Sequence, residues 1–375
     1  MTKMKSIAIK NAGYMLVLLP QLLLVVGTSL GFPWLSVALF FGVLPIMRKF
    51  VGNDLSPSNG NPSSLLRIYL QAIPRLYFVA WALTLPWVIW VVATRPMSTP
   101  ECVGFTLALW IVCSLNAAIA HELIHVRSRF DRVLGQFLYA SIGYFHFPEE
   151  HMSHHARTGH YYDGDAAMPG TSVYVYAAMR FLRTFRLAWA YEAKHLKGMS
   201  KGWLASRMLY RAIIPVAIAS AFYGYAGQLG LAIYLFQIIG AAFTVQVITY
   251  LQHWGLSERE TPALADYGFS WEDGCWMQAC VTLNHTFHGQ HHLSRARPYY
   301  ELGLTKDGLH LPASYPVMFV VALFPSLFST VMKSRLVNWI ENYEKREMLM
   351  HEADCIGGAK IFQTLLNGRD SKALR

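Results

Sequence analysis

Residues 102–125 read CVGFTLALWIVCSLNAAIAHELIH. The stretch 102–120 holds no Asp, Glu, Lys or Arg. It is long enough as a helix to cross a hydrocarbon core, which takes roughly 20 apolar residues. It runs directly into His121-Glu122-Leu123-Ile124-His125, where two histidines four apart share one helix face. An apolar helix that delivers two imidazoles at its end sets the class: an all-α integral membrane protein with a polar, histidine-rich cap.

Five further apolar segments surround it, near 12–30, 34–47, 76–94, 210–227 and 229–250, the second being short. The six pair into three hairpins, about 12–47, 76–120 and 210–250. Their tips are Gly31-Phe32-Pro33, Arg95–Glu101 and Gln228-Leu229-Gly230. Every Lys and Arg except Arg95 then falls on the side away from the tips. The positive-inside rule makes that side cytoplasmic. Both termini, the 51–74 loop and a cap made of 121–209 and 251–375 belong there, in one membrane-embedded domain spanning 1–375. The apolar stretch 314–332 is expected to lie in the interface or on the bundle. The first segment does not read as a cleaved leader, because a second apolar stretch follows it at once. With no organelle signal, the pattern fits a bacterial inner membrane.

Composition agrees. Of 375 residues, 54% are hydrophobic and 14% charged, against about 25% charged in soluble chains. The net charge of +10 then points to anionic lipid rather than nucleic acid. Cys102, Cys113, Cys275, Cys280 and Cys355 include no C-x-x-C pair. Neither a zinc knuckle, a rubredoxin-like iron site nor a disulfide framework is encoded.

Most of the 15 histidines fall in four places. After His121 and His125 comes His151-Met-Ser-His154-His155. A lone His253 follows where the last apolar segment ends. His288-Gly-Gln-His291-His292 then repeats the H-x-x-H-H spacing. On a helix His154 and His155 diverge by about 100°, so they can serve two different metals. Nine imidazoles exceed what one ion takes, and two ions accommodate them. Imidazole suits zinc, copper, iron and nickel alike, so ligand type leaves the metal open. A histidine pH sensor would not need the repeated spacing.

The ordered set H-E-L-I-H, H-M-S-H-H, Q-H-W-G-L and H-G-Q-H-H resembles the membrane-bound di-iron superfamily of desaturases and hydroxylases. Within it, Tyr250–Leu256 and Asn284–Leu302 are similar to elements of the alkane 1-monooxygenase and xylene monooxygenase branch. The second box is one residue shorter than that branch's usual form, and Thr249 stands where it carries Asn. The resemblance, over roughly 75–340, implies that His121, His125, His151, His154, His155, His253, His288, His291 and His292 hold two iron ions. It implies O2-dependent hydroxylation of a terminal or benzylic methyl of a hydrophobic hydrocarbon. Glu122, Glu150, Asp163, Asp165 and Asn284 are expected partners for the outer imidazole N–H groups. His285 and His160 are expected to be structural or to support the ligands.

The chain has no flavin, NAD or iron–sulfur signature, so electrons are expected from a separate rubredoxin or a ferredoxin–reductase pair. Arg180, Arg183, Arg186, Lys194, Lys197 and Lys201 are candidates for docking an acidic donor or lipid headgroups. Trp81, Trp87, Trp90 and Trp110 are candidate walls of a hydrocarbon channel. Two rivals share these features. One is an acyl desaturase or lipid hydroxylase on the same scaffold. The other is a metal transporter, which would place its ligands near the membrane midplane rather than at one face.

Overall fold

The structure, a computed structural model, describes residues 3–54, 61–155, 158–159, 165–259 and 261–355. The chain divides into two compact units, Met1–Phe328 and Ser329–Arg375. The first holds the fold described below.

It begins with helices α1 (Lys3–Gly13) and α2 (Leu19–Ser29), joined by a 3-10 turn. Helices α3 (Leu35–Ala38) and α4 (Leu44–Val51) follow, joined by a π turn. Two long helices come next, α5 (Ser64–Thr94) and α6 (Thr99–His125). The cap contributes α7 (Arg129–Ser141), α8 (Phe147–His154) and α9 (Val173–Gly198). After α10 (Arg207–His253) come the short helices α11 (Trp276–Val281), α12 (His288–Leu293) and α13 (Tyr315–Ala322). Helix α14 (Pro325–Cys355) carries the chain into the second unit. Among the described residues the only strand pair is β1 (Trp271–Glu272) beside β2 (Leu309–His310), parallel.

Helix α6 is the central post. Phe105, Leu109, Val112, Asn116, Ile119, Ala120 and Leu123 are buried around it, as befits a helix apolar on all sides. A capping box starts it: the Ser98 backbone N–H donates to Glu101 Oε2 at 2.9 Å, satisfying an orphan donor. Helix α5 buries Leu70, Ile73, Tyr77, Trp81, Thr84, Val88 and Val91 at helical spacing. Its opposite face shows Leu76, Val79, Leu83 and Trp90. A soluble helix would carry polar residues there, so this outward face suits lipid.

Four helices are long and apolar enough to cross a membrane, Ile7–Ser29, Ser64–Thr94, Thr99–His125 and Arg207–His253. The last, with 47 residues, would reach about 70 Å if straight, more than twice a bilayer core. It is broken at Gly227 (φ 63°, ψ −151°), a conformation essentially restricted to glycine. The turn expected at 228–230 therefore falls one residue earlier. At Gly230 a built Cβ would stand 2.5 Å from the Phe222 carbonyl oxygen, so the two arms need glycine there to close on each other.

Two other expectations change. The 51–74 loop is shorter, because α5 already starts at Ser64, whose N-cap Ser63 accepts from the Leu66 N–H. The short segment 34–47 is helical but interrupted, with π geometry at Leu39–Val43. From the stretch 314–332, α13 buries Tyr315, Met318 and Phe319 and packs on α10 and α4. The tips of the first two hairpins lie together: Arg95 Nη1 donates to the Thr28 carbonyl, and its Nη2 is 3.9 Å from Glu101. His121, His125 and His253 stand at the other ends of their helices.

Candidate metal centre

The last turn of α6 presents His121 and His125 on one face, and α10 ends on His253. Helix α8 with the residue after it supplies His151, His154 and His155, and α12 supplies His288, His291 and His292. These nine side chains form two groups. In the first, one ring nitrogen each of His121, His125, His151, His155 and His291 lies within 4.8 Å of all the others. In the second, the same holds for His154, His253, His288 and His292. Each H-x-x-H-H box is thus shared: His154 and His155 go to different groups, and so do His291 and His292.

The spacing of the nitrogens favours a cation. His125 Nε2 is 2.9 Å from His151 Nε2, which is 3.0 Å from His155 Nε2, itself 3.1 Å from His291 Nε2. Ligands at right angles on an ion with bonds of about 2.1 Å stand about 3 Å apart. The second group supplies a sharper test. His292 Nδ1 donates to the Gly268 carbonyl at 2.8 Å, and His154 Nδ1 lies 3.3 Å from Asp165 Oδ2. With both Nδ1 atoms protonated for those partners, both Nε2 atoms carry lone pairs. Yet the two Nε2 atoms face each other at 3.1 Å, an arrangement that a shared cation reconciles. His253 follows the same rule, with Nδ1 on the Phe269 carbonyl at 3.0 Å and a buried Nε2 left without a partner. His121 Nε2 is likewise buried and unpartnered.

Burial first, then crowding by the other imidazoles, holds His151, His288, His291 and His292 well below the usual histidine range. His155 is pushed down to about 2 by the same causes. Neutral imidazole is the form that binds a metal.

The supporting residues are only partly those expected. Burial pushes the Asp165 carboxyl up, but Arg180 and His154 outweigh it and hold it below the usual carboxylate range. Arg180 grips Asp165 with two hydrogen bonds of 2.7 and 2.8 Å and donates a third, 2.7 Å, to Gln246 Oε1. Gln246 in turn donates to the Tyr144 hydroxyl. Arg180 is therefore buried machinery, not a docking residue. Arg183, Arg186, Lys194, Lys197 and Lys201 are exposed.

Asn284 donates to the Tyr14 hydroxyl and the Tyr299 and Leu302 carbonyls, tying α1's exit to the 299–302 turn rather than holding an imidazole. Glu122 accepts from the Tyr299 N–H at 3.3 Å. His285 sits between the groups, its ring 4.7 Å from His121 and 5.4 Å from His288. Asp163 and His160, and the side chain of Glu150, lie outside the described residues.

Sequence reasoning missed Glu272. Its buried carboxylate accepts from the Gly289 N–H at 3.0 Å and the Thr305 N–H at 2.8 Å, fixing the first turn of α12. No spacing in the sequence signals this contact.

A cavity of about 150 Å3 reaches the histidines. His121, His151, His154 and His288 line one end, and Phe40, Phe41, Trp110 and Phe319 line the other. Of the four expected wall tryptophans, Trp110 lines it. Trp81 is buried elsewhere, donating to Ser141, and Trp90 is exposed.

The helical bundle gathers nine imidazoles into two groups, each able to hold a metal ion, beside a largely apolar cavity. Residues 96–321 match the fatty acid desaturase family, and the chain belongs to that family. Among curated relatives, alkane 1-monooxygenase 1 of Alcanivorax borkumensis is 29% identical over 319 residues, covering 81% of this chain and 78% of the relative. Alkane 1-monooxygenase of Pseudomonas putida is 29% identical, with 81% and 78% covered. The xylene/toluene monooxygenase hydroxylase component XylM of Pseudomonas putida is 26% identical, with 68% and 70% covered.

Proposed function

We propose that this protein is a membrane-bound non-haem monooxygenase that hydroxylates an unactivated C–H bond of a hydrophobic hydrocarbon, with two iron ions in its histidine groups. The observation that carries this reading is the apolar cavity ending on both groups. The alkane and xylene/toluene monooxygenase names of its relatives support the same reaction class. Iron in this setting supplies the activation of O2 that the chain's own side chains lack.

The chain's residues do the rest. The nine imidazoles hold the ions. Asp165 fixes the His154 tautomer, and the carbonyls of Gly268 and Phe269 fix those of His292 and His253. Such outer partners orient the ligand rings and raise their basicity. Phe40, Phe41, Trp110 and Phe319 exclude water and admit a hydrocarbon that has partitioned into lipid. Electrons come from a separate protein of rubredoxin or ferredoxin–reductase type. The basic residues gathered away from the hairpin tips support a cytoplasmic histidine end in a bacterial inner membrane.

The test is turnover of purified, iron-loaded chain with O2, a reduced donor and a panel of alkanes and alkylbenzenes. An alcohol carrying one atom from 18O2 supports the reading. A new double bond in an acyl chain, with no oxygen incorporated, assigns the chain to desaturation instead.

A further inference from the structure

Most polar side chains on the cavity wall spend their hydrogen bonds inside the protein. Trp110 Nε1 and the Ser114 hydroxyl both donate to Thr244 Oγ1, and Thr244 donates to the Gly240 carbonyl. Thr249 donates to the Val245 carbonyl, and Gln252 to the Tyr315 hydroxyl. The segment 278–286 is different. Gln278 and Thr286 both line the cavity and are 3% and 1% exposed. Gln278 Oε1 and Thr286 Oγ1 nonetheless have no hydrogen-bond partner. Between them His285 lines both this cavity and a small neighbouring one beside Glu122. His285 stands 5.4 Å from His288, ring to ring, and Thr286 lies two residues before it, so with Gln278 they line the same cavity as that ligand candidate.

Buried polar groups are rarely left unsatisfied, and each one that is calls for an explanation. The chemistry of this wall is specific. A glutamine carbonyl only accepts, a threonine hydroxyl donates and accepts, and an imidazole offers one N–H and one lone pair. A ligand that both donates and accepts through one small atom answers that set, and a hydrocarbon does not. A hydroxyl is the smallest group that does so.

We propose that Gln278, His285 and Thr286 form a hydroxyl-binding subsite that takes a compact primary alcohol. The alcohol donates to Gln278 Oε1 and accepts from Thr286 or His285, while its carbon body fills the apolar part of the cavity. An apolar cavity of about 150 Å3 holds a benzene-sized molecule, so the alcohol is one of that size. In naming this alcohol as the product of the same site, the assignment rests on the hydroxylation reading above. The wall then retains the product, which competes with fresh hydrocarbon.

Two ligands of nearly equal shape test this, benzyl alcohol and ethylbenzene, which exchange a hydroxyl for a methyl. Their binding to full-length, metal-loaded protein in lipid nanodiscs is measured by equilibrium dialysis, with empty nanodiscs subtracted. Benzyl alcohol is expected to bind at least about tenfold tighter than ethylbenzene, the scale of one or two good hydrogen bonds. Gln278→Leu with Thr286→Val removes that preference and leaves ethylbenzene binding equal or stronger. Thr286→Ser, which keeps the hydroxyl, retains it. Metal content of each variant reports an intact centre; should the double variant lose metal, the wild-type pair and Thr286→Ser decide.

Equal binding of the two ligands by the wild-type chain overturns the proposal, as it would if the wall served only bound water. An unchanged preference in a metal-replete double variant overturns it too. Because the readout is binding, it separates from the hydroxylation reading. Alcohol preference without hydroxylation leaves the subsite standing and removes its link to a product. Hydroxylation without alcohol preference does the reverse.

Discussion

Asp165 is the side chain on which the second histidine group leans most. It is buried, faces His154 at 3.3 Å and accepts from Nε and Nη2 of Arg180. Asp165→Asn keeps the shape but removes the charge, leaving the Arg180 cation buried without a counter-ion. Losing one partner of a buried pair costs about 3–5 kcal/mol, and losing an outer partner weakens a metal ligand set about 10–100-fold. Metal titration of the variant should show the site of His154, His253, His288 and His292 weakened by that order and the five-histidine site nearly unchanged. Equal loss at both sites would contradict the division.

The histidines also set a pH dependence. Burial pushes His285 from 6.5 down to about 4, and the buried ligands go further down. Below pH 6.5 the unfolded chain takes up protons that the folded metal-free chain refuses. Stability therefore falls as pH falls, through the window from 6.5 to 4 for His285 and beyond it for the others. Thermal unfolding of the chelator-treated protein should show its midpoint dropping steadily across that window, and a flat profile would contradict the burial.

The histidines that the fold gathers could be picked out in the sequence because the spacing of eight of them marks shared helix faces and His253 ends the last apolar segment on the same side. Arg180 was not, and read as a surface cation. Its partners Asp165 and Gln246 lie 15 and 66 residues away, at no spacing that links them before the chain folds. Glu272 and Tyr144 escaped for the same reason.

At the scale of elements, period and charge marked the long helices and put the turn within α10 at 228–230, one residue beyond the break. Gly227 makes that break: its φ of 63° divides α10 into two arms. Gly227→Ala forces a Cβ into that region at a cost of about 1–3 kcal/mol, so the purified variant should unfold at lower temperature with metal stoichiometry unchanged. The start of α5 was misplaced because the element was drawn from the apolar run that begins at residue 76, beyond Arg67 and Arg75. In fact Arg75 reaches Asp131 on α7 with bonds of 2.7 and 2.9 Å.

Helix α12, like α8, feeds both histidine groups, and does so with only six residues. At Gly289 a built Cβ would lie 2.5 Å from the Tyr267 carbonyl oxygen and 3.0 Å from Glu272. Gly289→Ala should shift the helix and deplete both metals together, measured as metal per chain. Loss of one metal alone would show that α12 does not hold the groups as a unit.

Across the first unit as a whole, the outward faces of α5 and α10 are apolar, with Leu83, Val79, Val216 and Ile239 exposed, while the histidines collect at one end. That polarity was readable from composition and from the single basic residue at the hairpin tips. It also predicts sidedness: a cysteine at position 32 should react with an impermeant thiol reagent on intact cells, and one at position 295 only after permeabilisation. The reverse labelling would turn the molecule over.

On the proposed function, nine imidazoles hold two iron ions in separable groups. Metal content of the anaerobically purified chain, counted beside His288→Ala, tests it most directly. Two irons per chain in the wild type, falling toward one in the variant because only the four-histidine group is broken, is the predicted result. Zinc in place of iron, a single ion per chain, or no stoichiometric metal at all would contradict it.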